Sequence, residues 1–167
     1  MNRVLKLIKR SKKKYNNLNG GNTLLDCKYC PQGYYNQEKG QGVCQSCNPG
    51  KHSLTKGSTS STSCIQCNKG RYSDQSGSVN CIGCRRGTYS KETGASNVLS
   101  CLDCIAGTYT LASLGATSCV PCGNGTWSNT PDAFGSDSCI KCLAGSYSKN
   151  IGANSKSTCL DCPSGRT

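Results

Sequence analysis

Sixteen cysteines are the residues of this 167-residue chain whose type and spacing can do chemistry. They form eight Cys-x-x-Cys pairs: Cys27/Cys30, Cys44/Cys47, Cys64/Cys67, Cys81/Cys84, Cys101/Cys104, Cys119/Cys122, Cys139/Cys142 and Cys159/Cys162. Two chemistries use such pairs. In an oxidising setting an even cysteine count in repeats makes a disulfide framework. In a reducing one, two pairs separated by a loop can hold zinc through four thiolates. Bonding inside a Cys-x-x-Cys closes a small strained ring that suits redox catalysts better than scaffolds. The favoured arrangement is first-to-third and second-to-fourth within each group of four. It pairs Cys27 with Cys44, Cys30 with Cys47, Cys64 with Cys81, Cys67 with Cys84, Cys101 with Cys119, Cys104 with Cys122, Cys139 with Cys159 and Cys142 with Cys162. The rival ladder joins Cys30 to Cys44, Cys47 to Cys64 and so on, and strands Cys27 and Cys162. Disulfides are expected, with no cofactor; zinc, in a multi-site nucleic-acid-binding protein, is the alternative. Against zinc stand serine- and glycine-rich loops with few basic or aromatic residues near the pairs, since nucleic-acid readers gather both on one face.

Other reactive groups are sparse. His52 is the sole histidine, and it occupies a position that is aromatic in most other repeats, so packing is its expected role. The 8 acidic residues are scattered singly, without paired carboxylates or calcium-loop spacing. Gly-x-Gly steps such as Gly123-Asn124-Gly125 lack the strand and helix that a phosphate loop requires. No catalytic residue and no small-molecule substrate are expected, so the chain reads as a non-enzyme. Asn124-Gly125-Thr126 is a glycosylation sequon, and Asn124 is a modification site if the chain is secreted.

The elements that must position these groups are equally regular. The third residue after each pair is glycine: Gly33, Gly50, Gly70, Gly87, Gly107, Gly125, Gly145 and Gly165. Two residues later stand Tyr35, His52, Tyr72, Tyr89, Tyr109, Trp127, Tyr147 and finally Thr167. Such self-similarity marks tandem supersecondary units. Apolar residues make up 34% of the chain with cysteine included, and there is one Phe and one Trp against 20 Gly. So little hydrocarbon cannot offset a backbone ordering cost of roughly 1–2 kcal/mol per residue, so the fold needs staples. Each bridge, closing a loop of about 17–20 residues, is worth about 3 kcal/mol on the chain-entropy account. The Gly-x-Tyr-Ser steps predict short strands, and the Gly/Ser/Asn runs predict turns. The expected architecture is a small disulfide-rich repeat protein. It is drawn as an elongated rod of four tandem modules with short β-hairpins and little or no helix outside the N-terminal tail. Intervals between pairs alternate over most of the chain, which sets module boundaries at residues 27–63, 64–100, 101–138 and 139–167.

Charge is concentrated before the repeats. The chain carries 20 Lys and Arg, and residues 1–14 hold seven of them: Arg3, Lys6, Lys9, Arg10, Lys12, Lys13 and Lys14. Residues 1–16 read as a basic tail with a short amphipathic helix, and residues 17–26 as a Gly/Asn-rich linker. The tail suits an acidic partner: lipid headgroups, nucleic acid or an acidic protein. Its apolar residues are interrupted by Lys6, so neither a conventional signal peptide nor a transmembrane segment is visible.

The pattern Cys-x2-Cys-x2-Gly-x-Tyr-Ser…Gly-Ala-x-Ser-x-Cys-x2-Cys resembles the cysteine-rich repeat of the ephrin type-A/B receptor-like family. It is similar in style to tumour-necrosis-factor-receptor and EGF-like modules. Cys104–Cys122 (CIAGTYTLASLGATSCVPC) and Cys142–Cys162 (CLAGSYSKNIGANSKSTCLDC) carry the resemblance most fully, and it spans residues 27–165. The resemblance implies an extracellular-type, non-catalytic element for spacing, adhesion or assembly among other proteins. The location expected is a cell surface or a virion, the latter because the family's repeats ordinarily follow a signal peptide.

Overall fold

A computed structural model of the chain describes residues 27–166 and the two-residue strand β1 (Lys14–Tyr15). The expected tail helix and the linker fall outside these residues, as do Arg3, Lys6, Lys9, Arg10, Lys12 and Lys13. Lys14 enters as backbone only. The chain divides into two compact units, residues 1–68 with 72–81 and 94–97, and residues 69–71 with 82–93 and 98–167.

In the first unit β2 (Lys28–Tyr29), β3 (Tyr34–Tyr35), β4 (Gln45–Ser46), β5 (Lys51–His52) and β6 (Ile65–Gln66) are two residues long. β3 pairs antiparallel with β4, Tyr34 opposite Ser46, and β5 with β6, Lys51 opposite Gln66. β1 pairs with β2, Lys14 opposite Tyr29 and Tyr15 opposite Lys28. β7 (Arg71–Tyr72) and β8 (Ile82–Gly83) are of the same size. The second unit holds β9 (Thr88–Tyr89), β10 (Leu102–Asp103), β11 (Thr108–Thr110), β12 (Val120–Pro121), β13 (Thr126–Trp127), β14 (Ala133–Phe134), β15 (Ile140–Lys141), β16 (Ser146–Tyr147) and β17 (Leu160–Asp161). β9 pairs with β10, β11 with β12, β13 with β15 and β16 with β17, all antiparallel, and β14 adds to β11 in parallel. The rule is constant in both units: the strand after the glycine that follows a pair itself pairs with the strand after the next pair's first cysteine. The only helical segments among the described residues are 3-10 turns.

Glycine sets the turn that starts each hairpin. Gly33 has φ 81°, and Tyr34 N–H donates to the Pro31 carbonyl at 3.2 Å. A Cβ at Gly33 would overlap the Gly77 carbonyl oxygen, so the site needs glycine both for its φ and for the close approach.

Seven disulfides follow the ladder: Cys30–Cys44, Cys47–Cys64, Cys67–Cys81, Cys84–Cys101, Cys104–Cys119, Cys122–Cys139 and Cys142–Cys159. This corrects the first-to-third, second-to-fourth pairing. The bridges expected as Cys27–Cys44, Cys30–Cys47, Cys64–Cys81, Cys67–Cys84, Cys101–Cys119, Cys104–Cys122, Cys139–Cys159 and Cys142–Cys162 do not form, and Cys27 and Cys162 stay unpaired. The reason lies in the hairpin. The turn after a second cysteine folds the chain back so that this cysteine meets the first cysteine of the next pair, as Cys30 meets Cys44 with Cα atoms 5.8 Å apart. Three bridges, Cys47–Cys64, Cys84–Cys101 and Cys122–Cys139, therefore span boundaries between the four-cysteine modules.

The interval alternation has a local origin. Bridges of sequence separation 17 contain a 3-10 turn just before the second sulfur, at Ser61–Ser63, Val98–Ser100, Ser136–Ser138 and Lys156–Thr158. The spans of 14 and 15 lack one. Ser60 and Ser155 cap two of these turns, their hydroxyls accepting from Thr62 N–H and Ser157 N–H at 3.2 Å.

No oily core forms. Among the described residues the buried apolar ones are cysteines (Cys30, Cys47, Cys67, Cys84, Cys104 and Cys122) and four alanines. Small hydroxyl residues complete the interior: Ser53, Ser73, Ser90 and Ser128 are each at most 1% exposed. Their backbones link repeats within each unit. Gly33 N–H donates to Ser53 O at 2.8 Å and Gly50 N–H to Ser73 O at 2.7 Å in the first unit. Gly125 N–H donates to Ser148 O at 2.9 Å in the second. Bridges and hydrogen-bonded backbone steps of this kind thus take the place of hydrocarbon burial.

Candidate interaction surface

Most of the strands that follow a first cysteine leave an aliphatic side chain outside; Lys28 and Gln45 take the position after Cys27 and Cys44. Ile65, Ile82, Leu102, Ile140 and Leu160 each directly follow the first cysteine of a pair and are 49–60% exposed. Val120 holds the same position and is half-buried. A strand projects alternate side chains to opposite faces, so the residue beside a half-buried cysteine faces solvent.

Beside this row in the second unit run shallow grooves. The larger, of about 430 Å³, is lined by Trp127, Ile140, Leu143, Lys141, Lys156 and Asp161. A smaller groove of about 240 Å³ repeats the arrangement with Tyr89, Asp103, Ile105, Thr108 and Cys119. In each, the aromatic of one repeat lies with the first cysteine two repeats on, Cys159 or Cys119. Lys91 Nζ stands 5.9 Å from the centre of the Tyr89 ring, within cation–π range. Each groove is thus lined by aromatic and aliphatic side chains together with charged ones.

Polar cross-links between repeats also lie here. Arg85 reaches Asp103 Oδ1 at 3.4 Å and Asp132 Oδ2 at 3.3 Å. Asp132 stands where other repeats have glycine and adopts φ 56°. Its N–H donates to Cys104 O at 2.9 Å, the bond that Gly115 makes to Cys84 O and Gly152 to Cys122 O.

His52 sits in the aromatic slot of β5, half-buried, with Nδ1 3.2 Å from Cys81 Sγ. His52, Cys67 and Cys81 put their ligand atoms within 4.8 Å of one another. The two sulfurs are bonded to each other, however, and a disulfide offers no thiolate to zinc. Asn124 is exposed in the turn before β13, and Thr126 Oγ1 donates to Gly123 O at 2.7 Å. The exposed aliphatic residues were not singled out from sequence, although an aliphatic residue after six of the eight first cysteines is a readable signal. The Arg85 cross-link joins residues 47 positions apart and leaves no local trace.

A ladder of single bridges carrying short hairpins defines a disulfide-stapled tandem-repeat protein. Residues 19–64 and 59–101 match the family described as tyrosine-protein kinase ephrin type A/B receptor-like, so the chain carries repeats of the ephrin type A/B receptor-like family. No curated protein matches the chain. These repeats mark it as an extracellular-type structural or interaction module. No helix among the described residues is long and apolar enough to cross a membrane.

Proposed function

We propose that the chain is a non-enzymatic spacer and docking element of a cell surface or virion. In this reading other proteins lie against the exposed aliphatic residues and grooves of the second unit, and the basic segment 1–16 docks to an acidic surface. The observation that carries the reading is the division of labour in the repeat. Sulfur, alanine and serine fill the interior, which leaves Ile65, Ile82, Leu102, Ile140 and Leu160 outside, where they contribute nothing to the core. Aliphatic residues at this position in six of the eight repeats, five of them exposed, are suited to partners rather than to folding. Asn124, exposed in its turn, carries a glycan when the chain passes through a secretory route.

The test is the intact mass of native protein, denatured without reductant and then reduced. The expected gain is about 14 Da, two hydrogens for each of the seven bridges. Protein that arrives with sixteen thiols and bound zinc overturns the reading in favour of the metal-binding alternative. Flotation with vesicles containing phosphatidylserine tests the tail: binding should vanish on deletion of residues 1–13 and weaken steeply with salt. Equal binding to neutral vesicles would remove the docking role.

A further inference from the structure

The slot that holds an aromatic ring in most repeats sets that ring beside a disulfide sulfur two repeats on. Trp127 lines a groove with Cys159, and Tyr89 lines one with Cys119. His52 occupies the same slot, and the same register brings its ring to Cys81. Here the residue type changes the chemistry. Tyrosine and tryptophan rings offer a metal no nitrogen lone pair, whereas imidazole does. His52 Nδ1 stands 3.2 Å from Cys81 Sγ, and the ligand atoms of His52, Cys67 and Cys81 all lie within 4.8 Å of one another. No other three such donors are gathered as closely among the described residues.

Backbone bonds hold these donors independently of the bond between the two sulfurs. Cys67 N–H donates to Gly50 O at 2.9 Å, and Cys67 O accepts from Gly94 N–H at 2.7 Å. Ser53, which follows His52, donates its N–H at 3.1 Å to the carbonyl of Ser78, three residues before Cys81. The pairing of His52 with Ile65 fixes β5 beside the strand that leads to Cys67. All of these residues belong to the first compact unit.

Zinc–sulfur bonds of about 2.3 Å and zinc–nitrogen bonds of about 2.0–2.1 Å put two donors of a tetrahedral site about 3.5–3.8 Å apart. His52 Nδ1 and Cys81 Sγ are already within about 0.3 Å of that range. Once unbonded, the two sulfurs part to van der Waals contact, which is nearly the same spacing. Cys67 is buried while His52 and Cys81 are half-buried, so an ion enters from their side and keeps its fourth position for water.

We propose that the Cys67–Cys81 bridge is a reduction-gated zinc site: when a thiol reductant opens it, His52 Nδ1, Cys67 Sγ and Cys81 Sγ bind one zinc ion. Two glutathione thiols give up two electrons and two protons and leave as oxidised glutathione, and the bridge becomes two thiols. Zinc then takes both sulfurs as thiolates, releasing two protons, while the imidazole keeps its proton on Nε2. Because zinc binds the open form and not the closed one, it draws this bridge open in preference to the others, which yield two donors each. The proposal rests on the seven-bridge reading of the chain and goes beyond it.

The test uses full-length protein carrying Cys27→Ser and Cys162→Ser, in which the ladder leaves no free thiol. It receives one molar equivalent of a phosphine reductant, with and without an equivalent of zinc chloride. With zinc, about one ion per chain should survive desalting. Alkylation after zinc removal, read by peptide mapping, should then fall on Cys67 and Cys81; without zinc it should spread over several bridges. His52→Tyr in the same background puts the commonest ring of the other slots in place of imidazole. Its bridge should persist, and its zinc affinity after reduction should fall by more than about 100-fold, beyond what loss of an outer-shell partner costs. No retained zinc, alkylation spread evenly despite zinc, or equal affinity in His52→Tyr overturns the proposal. Cysteines alkylatable throughout before any reductant would overturn the ladder itself and this site with it, so the thiol count before reduction tells the two failures apart.

Discussion

Two double substitutions that share one residue separate the ladder from the pairing expected within modules. Cys104→Ala with Cys119→Ala removes one bridge, because these two sulfurs are partners across 15 residues. Cys101→Ala with Cys119→Ala removes two, Cys84–Cys101 and Cys104–Cys119, and frees Cys84 and Cys104 as thiols. On the chain-entropy account a loop of this size is worth about 3 kcal/mol. The first variant should therefore lose about 3 kcal/mol and the second about 6 kcal/mol. Cys84 and Cys104 are at most 1% exposed, so their orphaned thiols remain inside and do not recover the loss. The measurement is urea unfolding of each variant at matched pH, with a count of alkylatable thiols from intact mass. The slopes are compared first, because a repeat array that loses a bridge can uncouple its neighbours. The first variant should show two alkylatable thiols, from Cys27 and Cys162, and the second four. The reverse order, with Cys101→Ala/Cys119→Ala the milder change, would refute the ladder and restore the Cys101–Cys119 bridge.

Two further outcomes follow from the same geometry. Gly33→Ala meets both a positive φ and the Gly77 carbonyl, whereas Gly145→Ala meets a positive φ with open space around it. The first should cost about 2–4 kcal/mol and the second about 1 kcal/mol in denaturant unfolding; equal costs would mean that Gly33 is not packed against Gly77. Arg85→Ala breaks two contacts of 3.3–3.4 Å, but the arginine side chain is 65% exposed, so the change should be under about 1 kcal/mol and fade with salt. A larger, salt-independent loss would show that Arg85 holds the repeats by packing.

The sequence by itself determined the eightfold repeat, the strand-forming Gly-x-Tyr steps, the scarcity of core hydrocarbon and hence the reliance on sulfur. These are legible because each depends on residues within about twenty positions of one another. It also placed His52 in an aromatic slot, and the structure seats it there against Cys81. Pairing was a different matter. Within-module bridges and the ladder close loops of nearly the same length, so their entropic values differ by a few tenths of a kcal/mol at most. Spacing therefore cannot choose between them. The choice is made by direction: the turn at each glycine folds the second cysteine back onto the next pair, and backbone bonds such as Cys47 N–H to Gly33 O at 2.8 Å hold it there. The alternating intervals, which from sequence suggest modules of two pairs, reflect 3-10 turns such as Ser61–Ser63 and Lys156–Thr158. Only the tertiary structure could decide which sulfurs meet and which two are left unpaired, because that depends on the faces the cysteines occupy and not on the distance between them along the chain.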